Sequence, residues 1–417
     1  MTVSSFNVDG LLRKSVLVES KEALSDFLDT ISRDNPDVFA VDTESAGFYK
    51  YKAVTNLIQV ATRTQAALLD PQKIQDFEPL RVFARNVPCE WIFHGSDYDV
   101  RVLARDVGVE VPRIFDTRLA AELLGRKELG LSALSEIILG RPLDKKLQKC
   151  DWSRRPLTLA MCTYGLLDAI TLIPVRDFLR HDLEASGRLS WAEEEFGYLA
   201  QLRWEQASEE PDPCAYLIKG SSRTPPRALA ILREIWQLRE NISAHLDRAP
   251  FMVLSNLALL EIARQAPRSL AGLSIIKHIG SDFLSRHGKD LQEAVQRGLA
   301  ADLNDLPIRS RPRRGAQIFL TAWEGELVRK LRDGRNLVSD DLGIPAALIA
   351  SGDALDRLAR ERPHDLAGMT GEGRLHKWQA EVLAEQFLPL LCQEPPGSQA
   401  KKRRRRRRSP GETPTAA

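Results

Sequence analysis

The chain has 417 residues, 43% of them hydrophobic and 28% charged, with a formal net charge of +2. This gives room for two to four domains of ordinary globular composition. No stretch approaches the roughly 18 consecutive apolar residues of a membrane span or the basic-then-apolar pattern of a secretory leader, so a cytoplasmic protein without membrane contact is expected.

In chain order, Leu24, Phe27, Leu28 and Ile31 recur at helical spacing, which predicts an amphipathic helix over 21–34. Residues 38–44, Val-Phe-Ala-Val-Asp-Thr-Glu, are β-formers and too few for a helix. Side chains two apart on a strand share a face, so Asp42 and Glu44 point the same way. Two such acids are either a strand end running into solvent or part of a cation site. Residues 56–61 and 66–70 predict two more strands and an antiparallel meander. A helix over 77–86, a buried strand over 90–94 and a helix through Arg105 follow, giving an α/β or α+β domain with a mixed sheet.

At the end of that fourth strand stands His94-Gly95-Ser96-Asp97-Tyr98-Asp99-Val100. Gly95 permits a tight turn, Ser96 is a good N-cap, and Asp97 and Asp99 fall in the first helical turn, where acids are favoured by the helix dipole. They are either routine capping or a second source of carboxylates. A strand-to-helix join over 114–124 and a short helix within 130–140 come next. A polar, basic connection over 143–152 then leads into a long helix from Arg155-Pro156, in which Tyr164 and Asp168, four apart, lie on one face. Cys89, Cys150, Cys162, Cys214 and Cys392 include no Cys-x-x-Cys pair, which argues against a zinc ribbon and a disulfide framework.

Acid-x-acid on a first strand, an acid after a later strand and Tyr-x-x-x-Asp on a helix about 65 residues further on resemble the ribonuclease D family of 3′-5′ exonucleases. Phe-His-Gly-Ser-Asp-Tyr-Asp-Val (93–100), Phe-Asp-Thr-Arg (115–118), Leu-Ser-Ala-Leu (131–134) and Asp-Trp-Ser-Arg-Arg-Pro-Leu (151–157) also look like that family's segments in its order. The resemblance implies a ribonuclease-H-like exonuclease fold. It implies that Asp42, Glu44, Asp99 and Asp168 hold two divalent cations, Mg²⁺ or Mn²⁺, with Tyr164 holding the attacking water. Hard cations prefer carboxylate oxygens, and two ions about 3.5–4 Å apart suit an in-line phosphoryl displacement. Four acids this close predict a raised pKa for at least one of them in the metal-free protein. Gly165 stands where the family often has Ala, and Cys150 where Ser or Thr is usual. His94 resembles the family's residue beside the substrate end, or is a satisfied core histidine. Lys145 and Gln148 resemble its basic connection near the nucleic acid, or belong to a solvated loop.

Residues 191–225, rich in Glu and then in Pro, Ser and Arg, read as a linker. The helical pattern over 226–302 resembles the HRDC domain, a small nucleic-acid-binding module. A second copy is expected over 316–393, because residues 256–267 and 352–363 share a helix-then-Pro beat about 96 residues apart. Lys277, Arg286, Lys289, Arg309, Arg311, Arg313 and Arg314 are the candidate backbone contacts. Residues 394–417 read as a disordered tail that includes eight consecutive cations, Lys401 to Arg408. Setting aside those eight and Glu412 leaves 51 cations against 56 anions, so a faintly acidic body carries a basic arm for polyanions. The whole, with residues 1–190 as catalytic domain, is expected to be a metal-dependent exoribonuclease trimming RNA 3′ ends, tRNA precursors among them, with no obligate protein partner. A DNA exonuclease of the same chemistry and a binding protein with a decayed nuclease are the alternatives.

Overall fold

Residues 38–41 are β-branched or small and aromatic, shapes that fill a pleated sheet buried on both faces, and they form its centre. The computed structural model describes residues 6–203, 212–307 and 320–394. Arg309, Arg311, Arg313, Arg314 and the polybasic tail lie outside the described residues. Six strands, β1 (Val16–Val18), β2 (Val38–Ser45), β3 (Thr55–Ala61), β4 (Ala66–Leu69), β5 (Glu90–Phe93) and β6 (Ile114–Asp116), form one mixed sheet in the order β1-β4-β3-β2-β5-β6. β2, β3 and β4 are the antiparallel meander, while β5 and β6 extend it parallel to β2 and β1 runs parallel to β4. The three-residue β1 is too short for periodicity to announce it.

Eight helices fall within the described residues up to 203: α1 (Val8–Lys14), α2 (Lys21–Arg33), α3 (Glu78–Asn86), α4 (Asp97–Val102), α5 (Thr117–Leu123), α6 (Leu131–Leu139), α7 (Leu159–Ala185) and α8 (Leu189–Ala200). α4 runs on into a π turn, Leu103–Val107. α7 begins three residues after the cis Arg155-Pro156 bond rather than at it. Among the described residues α7 alone has the length and hydropathy to cross a membrane. Here Ala169, Ile170 and Ile173 are fully buried with Val38, Ala40, Leu57 and Ala61 of the sheet, so its apolar character serves the core.

The chain divides into two units: residues 1–117, 131–177 and 199–316, and residues 118–130, 178–198 and 317–417. Within the first, a helical domain follows the sheet: α9 (Pro226–Leu246), α10 (Pro250–Val253), α11 (Asn256–Gln265), α12 (Leu270–Ser274) and α13 (Ser281–Ala300). Its core includes Ile231, Leu232, Ile235, Leu259, Ile262, Leu291 and Val295. Residues 191–225 are more than a connection, since α8 occupies the first part and Tyr216 is buried in this helical core. The domain meets the loop after β2 through Ala249 N–H donating to the Tyr49 carbonyl at 2.9 Å and through Lys50 paired with Asp247 at 2.9 Å. At Gly298 of α13 an added Cβ would lie 2.4 Å from Ile231 Cα, so α9 and α13 approach at a point that only glycine allows. Gly298→Ala should cost about 3 kcal/mol, read as a lower thermal transition with the exonuclease domain's far-UV signal retained.

In the second unit, α14 (Ala322–Leu342), α15 (Ala346–Ile349), α16 (Gly352–Glu361), α17 (Leu366–Met369) and α18 (Lys377–Leu391) each begin 96 residues after α9 to α13 in turn. The serine N-caps Ser255 and Ser351 and the left-handed C-caps Ala266 and Arg362 keep the same interval. Leu331, Leu355, Leu358, Trp378 and Phe387 are buried there. Glu194 of α8 accepts the N–H groups of Lys377 and Trp378, while Glu195 accepts from Trp378 Nε1 at 2.7 Å and pairs with His376 Nδ1 at 2.5 Å.

Candidate active site

Val38 to Val41 are at most 1% exposed, which fixes β2 as it runs out towards Asp42 and Glu44. The β2–β3 register slips between Glu44 and Ser45, a local irregularity of the kind that re-aims side chains at sheet ends. α7, pressed on the sheet by Ile170 and Ile173, brings in Asp168. Carboxylate oxygens of Asp42, Glu44 and Asp168 lie within 4.8 Å of one another. Tyr164, one turn before Asp168, hydrogen-bonds to it.

Asp99 is 8% exposed, and Thr43 Oγ1 donates to its Oδ1 at 2.6 Å. It therefore leans on the strand residue between the two β2 acids and stands outside the three-oxygen cluster. Asp97, its alternative in sequence, is exposed and paired with Arg101. Ser96 starts α4 without a side-chain cap. Its hydroxyl instead donates to Asp116 Oδ2 at 2.9 Å, and Asp116 also accepts the N–H groups of Gly95 and Ser96 at 3.0 and 2.7 Å. A buried carboxylate with three such donors outcompetes ordinary capping and holds the turn that presents Asp99. The sequence gives Asp116 no role beyond its place in the Phe-Asp-Thr-Arg segment.

Arg155 is a second residue whose work is hidden from sequence. Its guanidinium holds fully buried Asp70 through two bonds of 2.6 Å and donates to the Asn56 carbonyl at 2.7 Å and the Trp152 carbonyl at 2.8 Å. This ties the 151–157 segment to β3 and the end of β4. The segment carries buried Trp152, whose ring centre is 5.9 Å from that of Tyr164.

All four acids have raised pKa values. Burial is the main cause for each, ahead of mutual repulsion, because a carboxylate removed from water favours its neutral form. Asp42 is pushed up to about 8 by burial and then by Asp168. Glu44 is pushed up to about 10 by burial and then by Asp42, Asp168 and Asp99. Burial takes Asp168 to about 7 against the opposing bond from Tyr164, and Asp99 rises for the same first reason, then through Asp42. Burial and these acids also raise the Tyr164 phenol above its usual range, so it stays protonated at neutral pH.

Beside the cluster opens a cavity of about 560 Å³. Leu143, Leu147, Leu159, Ala160 and Leu167 make it apolar, with Tyr164 and Asp168 in one wall and Asp144 and Thr163 as further polar groups. Lys145 and Gln148 are exposed on the loop that supplies Leu143 and Leu147. His94 closes β5 with Nδ1 2.9 Å from Thr117 Oγ1. Three carboxylates converging on one point are the hard, anionic donor set that Mg²⁺ or Mn²⁺ requires, so the residues fit a divalent cation.

Residues 16–184 match a 3′-5′ exonuclease family and residues 228–295 the HRDC domain. The chain is 30% identical to a ribonuclease D of Jannaschia over 84% of its own length and 89% of that relative. A ribonuclease D of Nitrobacter hamburgensis is 29% identical over 85% and 90%. Among solved structures, Escherichia coli RNase D, described as an exoribonuclease involved in structured RNA processing, aligns with a TM-score of 0.61 and 25% identity, covering 90% of this chain and 98% of that one. A protein from Bifidobacterium adolescentis aligns at 0.74 and 25% identity, covering 90% and 96%.

Proposed function

The chain belongs to the ribonuclease D family and is a 3′-5′ exoribonuclease, and from that premise we propose that it trims the 3′ ends of tRNA precursors by a two-cation mechanism that releases nucleoside 5′-monophosphates. The observation that carries this reading is the convergence of Asp42, Glu44 and Asp168 within 4.8 Å beside Tyr164.

In this reading Asp42, Glu44, Asp99 and Asp168 are the ligands. Two bound Mg²⁺ or Mn²⁺ ions would supply charge for the developing oxyanions and lower the pKa of a water. Asp99, whose Oδ1 accepts from Thr43, would offer its other carboxylate oxygen to a cation. Tyr164, a phenol that is neutral at physiological pH, would act as a hydrogen-bonding anchor for the water and leave proton acceptance to the carboxylates. Water oxygen bonds to phosphorus, the P–O3′ bond breaks, and the 3′ oxygen of the shortened RNA takes up a proton. The apolar cavity along α7 takes the terminal nucleobase, whose flat faces suit leucine walls. His94, Lys145 and Gln148 contact the incoming strand.

The five-helix repeat α14–α18 is read as a second HRDC-like module. Both modules and the polybasic tail grip the folded body of the RNA through its phosphates. Exposed Lys277, Arg286 and Lys289 serve this in the first module.

The test is a labelled tRNA precursor with a short 3′ trailer beside single-stranded DNA of the trailer sequence. Stepwise shortening of the RNA in Mg²⁺ or Mn²⁺, nucleoside 5′-monophosphates as products and none of this in chelator are expected. Equal degradation of the DNA supports the DNA-exonuclease reading, and an untouched precursor removes tRNA processing.

A further inference from the structure

Gln59 sits on β3 between Leu57 and Ala61, which pack in the apolar layer beneath α7. It is 0% exposed, yet among the described residues neither its Nε2 nor its Oε1 has a hydrogen-bond partner. A buried amide left unmade costs on the order of 1–3 kcal/mol. Methionine would fill the same volume without that cost, so core packing does not explain a glutamine here.

Its surroundings do. The antiparallel register sets Gln59 directly opposite Asp42, and opposed residues project from the same face with Cβ atoms about 5 Å apart. Its other neighbour is Gly165, between Tyr164 and Asp168 on α7. A Cβ at Gly165 would stand 3.0 Å from both Gln59 Cγ and Nε2. Glycine inside a helix costs about 1 kcal/mol relative to alanine, so the helix is weakened at the point that leaves room for the amide. Two local penalties meeting beside a carboxylate cluster are what a functional position leaves in a fold.

We propose that Gln59 is a positioning residue for the cation site: when Asp42 ligates a cation, Gln59 Nε2–H donates to the Asp42 carboxylate and holds it in its ligating orientation, with Gly165 leaving the amide space to turn. The inference rests on reading Asp42 as a ligand. Outer hydrogen bonds to ligands are worth about 10–100-fold in metal affinity, and the amide's missing bond is then made only in the loaded protein.

The experiment is Gln59→Met in the full chain, with melting followed in EDTA and across a Mn²⁺ titration, and Mn²⁺ affinity taken from the rise in melting temperature. The variant is expected to melt at or above the wild-type temperature in EDTA and to bind Mn²⁺ about 10-fold or more weakly. Wild-type Mn²⁺ affinity in the variant overturns the inference, whatever its stability. Should Gln59→Met fail to fold, Gly165→Ala probes the same amide from the helix side, and unchanged Mn²⁺ affinity there overturns it equally. If wild-type protein shows no Mn²⁺-dependent rise, the ligand reading of Asp42 fails and this inference with it. A wild-type rise that Gln59→Met reproduces sinks the inference alone.

Discussion

Asp42→Asn is expected to lower metal-dependent release of mononucleotides from RNA by a factor on the order of 10³ or more, about 4 kcal/mol of barrier, while leaving the far-UV spectrum unchanged. Asp42 continues the buried run Val38 to Val41 and lies within 4.8 Å of Glu44 and Asp168, so in the two-cation reading proposed above it is a ligand. Asparagine keeps the shape and removes one anionic oxygen, which weakens a hard-cation site far more than it disturbs packing. Folding should not suffer, because the wild-type carboxylate prefers its neutral form. Activity within tenfold of wild type would overturn its role as ligand.

The second large effect is on stability. Asp42, Glu44 and Asp168 have folded-state pKa values near 8, 10 and 7, well above their ordinary carboxylate values. Between about pH 4 and those values the folded protein holds protons that the unfolded chain has released. Stability is therefore full below the unfolded pKa values and falls as pH rises through the folded ones. In chelator, the melting temperature should drop between pH 5 and 9, by about 5 °C or more after allowing for the partly exposed surfaces of these acids. Added Mn²⁺ should restore it, with a larger rise at higher pH because the cation displaces bound protons. Asp42→Asn should flatten the drop. A metal-free protein that gains stability over that window would contradict the protonated cluster.

Spacing pairs the acids on shared faces, and the family resemblance is what joins the pairs into one site. Asp42 with Glu44 and Tyr164 with Asp168 are pairs defined by the periods of a strand and a helix, which local sequence carries. Asp97 and Asp99 cannot be separated that way, since both suit a first helical turn. Burial does so, placing Asp99 inward beside Thr43 and Asp97 outward beside Arg101. Asp116 and the Arg155–Asp70 pair stayed hidden because their partners lie 20 and 85 residues away. No periodicity links such positions, and each becomes visible only when strands are set side by side. Ser96 shows the same limit: its capping signature is real, but Asp116 arrives from another strand and takes the hydroxyl.

The acidic cluster draws on residues 42, 44 and 168, and its last member stands on a helix laid down after every strand of the sheet. Domains form from the N-terminus as synthesis proceeds. A growing chain therefore completes all six strands before the third carboxylate has left the ribosome. The cluster does not exist on any chain that ends before residue 168, and it can form while α9 to α18 are still to be made.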